Sequence, residues 1–506
     1  FLQGANTYSG GTVIQQGALR VTDVSFLGSG PVQVQSGAAL DLSIAGQQVL
    51  SQTVGGAGIL RKSDQGDLTL TANALTGGVD IVGGRVIVGS TGALGGGPVI
   101  MAADTQLVFD IAGTEVSTVP ISGAGTLTKE GAGLLVISNA NTFTGGTLIN
   151  AGRLGLNNGQ GLGTGDVLVL QNAVLGIGGV TLANNVHGAG QIIKTANNAA
   201  TLTGTNTHSG GIDIQAGSID VAGNAPLGSG TVTIASGAAL NYTNAGAATF
   251  SNGLAGGGTF NKLGTGQLTF ANNFTLGTVS LLAGRTRMNV VGTTNVLVNP
   301  NASLDGTGRI IGNLTNNGLV APGNSIGTLT VQGNYVHNAG SVLEIEFDGN
   351  GGIDLLAVTG TATINGGTLR FVSLGGAEGS GGTFLTAAGG LTGTFANVET
   401  VGAQLPLAVI YQPNSGLMAP SVLTARPSTF NAQSLAAADT ALGFIDSLAA
   451  GDPRTGQGNR VWMNGFGAWG NRSASGSTLA YDHDSRGLSG GLNFAVGVAF
   501  VGEEEK

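Results

Sequence analysis

Gly123-Ala124-Gly125-Thr126-Leu127-Thr128-Lys129-Glu130-Gly131-Ala132-Gly133 runs on, after a short gap, into Asn139-Ala140-Asn141-Thr142-Phe143-Thr144-Gly145-Gly146-Thr147. Between Gly123 and Thr147 there follow in order a Gly-rich triplet, a short alternating run, a second Gly-rich corner and an Asn-Thr-aromatic stretch closed by Gly-Gly. The same order recurs on both sides. Gly-Gly pairs fall at Gly10, Gly77, Gly145 and Gly210, Leu-Gly-x-Gly turns at Leu27, Leu94, Leu162 and Leu227, and Gly-rich triplets at Gly56, Gly123, Gly188 and Gly256. Subtracting successive numbers gives intervals of 67, 68 and 65 for the first two sets and of 67, 65 and 68 for the third. One period of about 67 residues governs three independent markers, which is the signature of a repeat architecture.

Between the markers lie short alternating runs, such as Val32 and Val34, Leu68 and Leu70, Val232 and Ile234, and Leu329 and Val331. Period-two alternation bounded by Gly, Asn and Ser predicts half-buried strands. No such strand hides its apolar side alone, so successive units must stack, as in a solenoid. A unit of this length is too long for one coil; divided by three it gives about 22 residues per turn, with three short strands and three Gly-bearing corners. Residues 1 to about 300 are therefore expected to form a right-handed parallel β-helix of roughly thirteen or fourteen coils, about 65 Å long at the strand spacing of ~4.8 Å. A four-stranded-blade propeller is the competing all-β architecture, but a blade as long as this repeat is unusual and Trp-Asp signatures are missing.

Composition agrees with an elongated body. The chain has 506 residues, 94 of them Gly, is 41% hydrophobic and only 9% charged; disordered chains lack the aliphatic content. A net charge of −9 with scattered lysines argues against nucleic-acid binding. Zero cysteines exclude disulfides, thiolate metal sites and a Cys nucleophile. No uninterrupted apolar run is long enough for a transmembrane helix, and repeat sequence begins at Phe1 without a signal peptide. Phe1 aligns within a repeat with Val136, so a truncated N-terminus is expected.

The stretch from Gly123 to Thr147, echoed at Asn6-Thr7-Tyr8-Ser9-Gly10-Gly11-Thr12 and Asn206-Thr207-His208-Ser209-Gly210-Gly211, resembles the passenger-associated transport repeat of autotransporters. Residues 312 to 369 resemble the C-terminal passenger module often called the autochaperone, above all in Asn316-Asn317-Gly318-Leu319-Val320-Ala321-Pro322-Gly323-Asn324-Ser325-Ile326-Gly327-Thr328-Leu329-Thr330-Val331-Gln332-Gly333-Asn334-Tyr335. The resemblance implies four parts: a repetitive β-helix over 1–304, a folding module over 305–420, a linker and pore helix over 421–458, and the truncated start of an outer-membrane β-barrel over 459–506. Leu435, Ala438, Leu442, Ile445 and Ala449 make one apolar stripe for the helix. Arg460-Val461-Trp462 through Trp469-Gly470 and the alternation of Leu488, Leu492, Phe494 and Val496 are similar to opening barrel strands, too few to close a barrel. The motif residues singled out for the folding module are Pro322, Gly323, Asn324, Ser325, Gly327, Leu329, Asn334 and Tyr335.

Several motifs suggest chemistry. Gly323-Asn324-Ser325-Ile326-Gly327 matches G-x-S-x-G, but a nucleophile elbow requires a following helix, so a structural turn is expected. His187 and His208, separated by nearly one coil, are expected to form a solvated ladder rather than a metal pair. Asp348-Gly349-Asn350-Gly351-Gly352-Ile353-Asp354 faintly resembles calcium-binding Gly-Asp repeats. Lys62, Lys129, Lys194 and Lys262 recur at intervals of 67, 65 and 68 and are expected to be solvated charges that discourage lateral pairing. No clustered acids of the kind a β-helix lyase needs are apparent, so no catalytic, metal or cofactor residues are assigned.

The expected function is a structural passenger, serving adhesion or aggregation at a Gram-negative cell surface or after release, exported by type V secretion. Its expected partners are the outer membrane and barrel-assembly machinery through a complete barrel, and a host-cell surface or further copies of itself, with no nucleic acid. The alternative is a β-helix enzyme, a polysaccharide lyase or esterase with its catalytic part in a missing N-terminal region.

Overall fold

The computed structural model describes residues 1–375, 381–403 and 407–420, with two short paired strands at Val461–Asn464 and Ser489–Leu492. From Thr12–Ile14 onward the chain winds into a parallel β-solenoid of about 17 turns. Strands one turn apart pair in parallel register, as Leu107 with Leu127 and Leu127 with Thr147. Alternation decides the fold: Leu68 and Leu70, Val232 and Ile234, and Leu329 and Val331 all point inward and are essentially inaccessible. They belong to one apolar core that runs continuously from Ile14 to Met418.

The turn is shorter than dividing the repeat by three suggests. Register partners before residue 270 differ in number by 17 to 22, about twenty on average: Thr12 lies opposite Val32, Val79 opposite Val99, Thr114 opposite Leu134, and Ile192 opposite Ile212. The sequence repeat thus spans three turns and one third, so each unit begins one face further round the prism. Lys62 stacks on Ile81, Met101 and Gly123; six residues past Gly123, on the next face, comes Lys129. After ten turns the pattern returns: the column from Lys62 passes through Phe143, Gly163, Leu182 and Tyr242 to Lys262.

The triplet glycines are fixed by this winding. Gly56, Gly123, Gly188 and Gly256 have φ of 112, 102, 97 and 114°, where a Cβ is strained. A Cβ there would also lie 2.0–2.2 Å from the carbonyl oxygen of Val34, Met101, Val169 or Ile234, one turn below.

Outward positions are locked by charge. Arg20, Asp41, Arg61 and Asp80 occupy successive rungs of one column, with Arg20 2.7 Å from Asp41 and Arg61 3.3 Å from Asp80. Toward the C-terminal end the turn lengthens: Leu314 pairs with Tyr335, Tyr335 with Ala362 and Ala362 with Leu391, steps of 21, 27 and 29. Two strands, Leu407–Gln412 and Ser415–Pro420, then fold back as a hairpin, and the second pairs antiparallel with Gly382–Ala387. The hairpin covers that strand's outer edge.

The expected pore helix at 429–449 lies outside the described residues, as does the proposed barrel start apart from the ladder that pairs Trp462 with Gly491. Among the described residues, no helix is long and apolar enough to cross a membrane.

Candidate functional site

Two markers of the repeat prove to be halves of one contact. Asn6, Asn73, Asn141 and Asn206 each donate from Nδ2 to a backbone carbonyl one turn on: Phe26 at 2.7 Å, Leu94 at 3.2 Å, Gly161 at 2.7 Å and Pro226 at 2.6 Å. Two residues past each Asn, Tyr8, Leu75, Phe143 or His208 packs its backbone against the Gly of the Leu-Gly-x-Gly turn, at Gly28, Gly95, Gly163 and Gly228. Asn141 and Asn206 also accept from the amides of Ile121 and Val186, one turn below, at 2.9 and 2.7 Å. One side chain so ties three turns together.

The four periodic lysines are the largest departure from expectation. They are not solvated: Lys62, Lys129, Lys194 and Lys262 are each 0% exposed. Each enters the core and curls its ammonium under the next corner. Lys62 Nζ donates to the carbonyls of Ser63 (2.8 Å), Asp64 (2.7 Å) and Gly83 (3.1 Å), the last one turn on. Lys129 reaches Gly131 and Ala151, Lys194 reaches Ala196 and Ala216, and Lys262 reaches Gly264 and Ala283. Burial pulls each pKa below the ordinary lysine value, opposed at Lys62 by the carboxylates of Asp64, Asp67 and Asp41. A corner that turns its carbonyls inward needs buried donors, and three come with one ammonium.

The motif residues of 322–335 form one corner and its flanking strand. Pro322 ends the strand Leu319–Pro322 in the core, and Gly323 exchanges two 2.9 Å backbone hydrogen bonds with Gly306. Asn324 donates to Asn289 Oδ1 at 3.0 Å, and the exposed Ser325 has φ 138°. Gly327 donates its amide to Asp354 Oδ1 at 2.8 Å; Oδ2 of the same carboxyl accepts from Glu346 N at 2.9 Å. Burial pushes Asp354 up to about 7, helped by Glu346 and Glu344 and opposed by those two amides. Leu329 is fully buried. Asn334 donates its amide to Asn313 Oδ1 and accepts from Thr361 N, both at 2.9 Å, one step of a corner ladder.

Tyr335 is fully buried with its hydroxyl 2.9 Å from His337 Nδ1; Asn316 Nδ2 lies 3.4 and 3.3 Å from the two groups and donates to Val342 O. Burial raises the Tyr335 pKa and lowers that of His337 to about 4. His337 stacks edge-on against Phe395 at 4.9 Å, and rings continue through Phe384, Phe371 and Phe347. Tyr335 is among the motif residues of the expected module and His337 is not; its inward phase, two residues past Tyr335, is the signal that marks it.

The chemical motifs resolve differently. Ser325 is followed by the strand Thr328–Val331 and not by a helix, so the G-x-S-x-G match is a corner. The expected His187–His208 ladder does not form. His187 stands outward, bonded to Thr207 Oγ1 at 2.7 Å and 3.3 Å from Asp166, whereas His208 faces inward, 0% exposed, its pKa lowered by burial to about 4. Parity explains it: the two lie one turn and one residue apart, on opposite sides of the wall. Asp348 Oδ1 accepts from the amides of Asn350 and Gly352, and both Asp354 oxygens are engaged, so the Gly-Asp loop is a hydrogen-bonded turn. Among the described residues no group of three His, Cys, Asp or Glu could hold a metal ion.

Continuous winding, recurring clamps and a buried lysine per repeat define a repetitive structural β-solenoid. Residues 1–21, 60–88, 127–156 and 197–221 match the passenger-associated-transport-repeat family. Over 146 residues the chain is 32% identical to the Adhesin BmaC autotransporter of Brucella suis biovar 1 (strain 1330), a stretch covering 28% of this chain and 4% of that protein. The chain therefore spans a small part of that relative's length. Solenoid, repeats and relative together support an autotransporter passenger.

Proposed function

We propose that this passenger is displayed at the Gram-negative cell surface or released from it, exported by type V secretion, and serves adhesion, with residues 305–420 nucleating its folding. The observation that carries the adhesive reading is the likeness to an adhesin in a solenoid built from transport repeats. The nucleating role is supported by the density of specific contacts toward the C-terminal end: the Asp354 latch, the Asn316–Tyr335–His337 cluster and the ring chain ending at Phe395. A segment stabilised by its own contacts folds before its neighbours and offers an edge on which turns add one at a time. The outer membrane and its assembly machinery are the partners of export, and a host surface or another copy the partner of adhesion.

The folding claim is tested by Leu329→Asp against Val34→Asp. Both residues are 0% exposed, so the local cost of burying a carboxylate is alike. Nucleation predicts that Leu329→Asp abolishes protease resistance along the whole passenger, whereas Val34→Asp affects only the first turns; equal digestion patterns would refute it. Adhesion is tested by binding of the full chain, displayed or purified, to host cells, with no binding counting against it.

A further inference from the structure

Two glycines take outward-phase positions in the middle of neighbouring strands, Gly155 half-buried and Gly176 buried beneath the head of Arg153. Gly155, in Arg153–Leu156, and Gly176, in Val174–Ile177, are register partners. Mid-strand Gly weakens a sheet and often marks close approach by something else. The winding does not require either one. Neither has a positive φ. A Cβ on Gly155 would meet Leu134 Cδ1 and Val136 Cγ2 at an ordinary 3.5 Å, and the three atoms nearest a Cβ on Gly176 all belong to the Arg153 guanidinium, Nε at 2.6 Å. Neither position meets the carbonyl crowding that fixes Gly123. Gly155 leaves a furrow floored by bare backbone, closed at its Gly176 end by the Arg153 head.

Its walls are apolar. Leu134 and Val136 stand on the rung below, Val174 beside Arg153 on the rung above, and Ile193 one rung past Gly176, all half-buried; Val116, 51% exposed, extends the wall downward. From Val116 to Ile193 is four strand spacings, about 19 Å.

Arg153 has no ion pair among the described residues, and its Nε is shielded from solvent without an acceptor. Residues 131–165 contain no Asp or Glu. Flanking acids are committed: Glu130 to Arg85, Asp166 to Asn185 and His187. Asp213, two rungs past Gly176 in the same column, bounds the furrow with negative charge. A guanidinium is permanently charged, and its planar fork matches a carboxylate.

We infer that this furrow binds a carboxylate-bearing polysaccharide, with a uronate carboxylate on Arg153 and the flat, less polar face of a sugar ring over Gly155. A second copy of the chain is a poorer occupant, because several of its outward rung acids, among them Asp41, Asp80 and Asp305, are already bridged. The inference deepens the adhesive reading by naming a class of target.

The test is binding of the full chain to polygalacturonate, with neutral dextran as control, for wild type, Arg153→Gln and Gly176→Val. At Gly176 φ is ordinary and the atoms nearest an added side chain belong to the flexible Arg153 head, so both variants are expected to keep the wild-type melting curve, which is checked first. The expected result is binding to polygalacturonate alone, weakened about tenfold or more by Arg153→Gln, through loss of the charge-assisted pair, and comparably by Gly176→Val, which displaces the Arg153 head from its seat. Equal binding to dextran, no binding by wild type, or wild-type affinity in Arg153→Gln would each overturn it. So would self-association in sedimentation that both variants abolish. A chain that adheres to cells but ignores polygalacturonate removes the furrow and leaves adhesion standing; one that binds the polymer but not cells removes adhesion alone.

Discussion

A lysine belongs in the core of this protein because the corner offers its ammonium inward-facing carbonyls to bond. Lys129 sits two residues after the inward Leu127, so alternation already placed it inside, and only the habit of lysines argued otherwise. Lys62, Lys194 and Lys262 repeat this, two residues after Leu60, Ile192 and Phe260. Replacing Lys129 by Met keeps the bulk and strands the carbonyls of Glu130, Gly131 and Ala151. The expected cost is about 1–3 kcal/mol, read as a lower urea midpoint; an unchanged midpoint would mean that water replaces the ammonium.

His337 and Asp354 make a second prediction at this scale. His337 titrates near 4 when folded, below its unfolded value, so its contribution is present above about 6.5 and is lost as pH falls toward 4. Asp354 titrates near 7 when folded, above its unfolded value of 3.8, so its contribution is full below 3.8 and is lost as pH rises through 7. Between about 4 and 6.5 the native state holds a proton on Asp354 and the unfolded state one on His337, and the two slopes cancel. Asp354→Asn should therefore make hydrogen-exchange protection in 328–371 fall on acidification over this window, and His337→Asn should make it fall on alkalinisation. Parallel profiles would contradict the assignment.

At the scale of elements, glycines divide by what surrounds them. Gly123→Ala places a Cβ 2.0 Å from Met101 O at φ 102° and should cost roughly 1–3 kcal/mol. Gly155→Ala meets no such obstacle and should be neutral or stabilising by up to ~1 kcal/mol. Thermal midpoints of the two variants decide it. Strands and corners were legible in the sequence because each carries its own alternation and its own Gly. The clamps were not, because Asn141 and Gly161 are brought together by the length of a turn, which no local pattern states. The Tyr335 neighbourhood was half legible: resemblance marked Leu329 and Tyr335, but the partners Asn316 and His337 come from the turn below and from the same strand's inward phase.

For the whole molecule, one period in the sequence left the screw undetermined. The repeat is compatible with three turns of about 22 or with three and one third of about 20, and Lys62, Lys129 and Lys194 on three successive columns decide for the second. The repeat, not the turn, is then the symmetry operation. Deleting residues 63–129, one repeat, should leave every clamp matched to an equivalent partner; deleting 63–123, three whole turns, keeps each face in place but sets unlike clamp halves together. The first variant should melt closer to the full chain than the second, as circular dichroism would show, and the reverse order would refute a one-third step.

The hairpin at 407–420 bears on how such a rod could grow. Stacked parallel rungs are a template for polymerisation, and a strand running antiparallel along Gly382–Ala387 occupies one of the last turn's open edges, while Asn397–Val401 beside it stays exposed. A second rod that docks on this tip thus meets one edge already taken by the chain's own reversal.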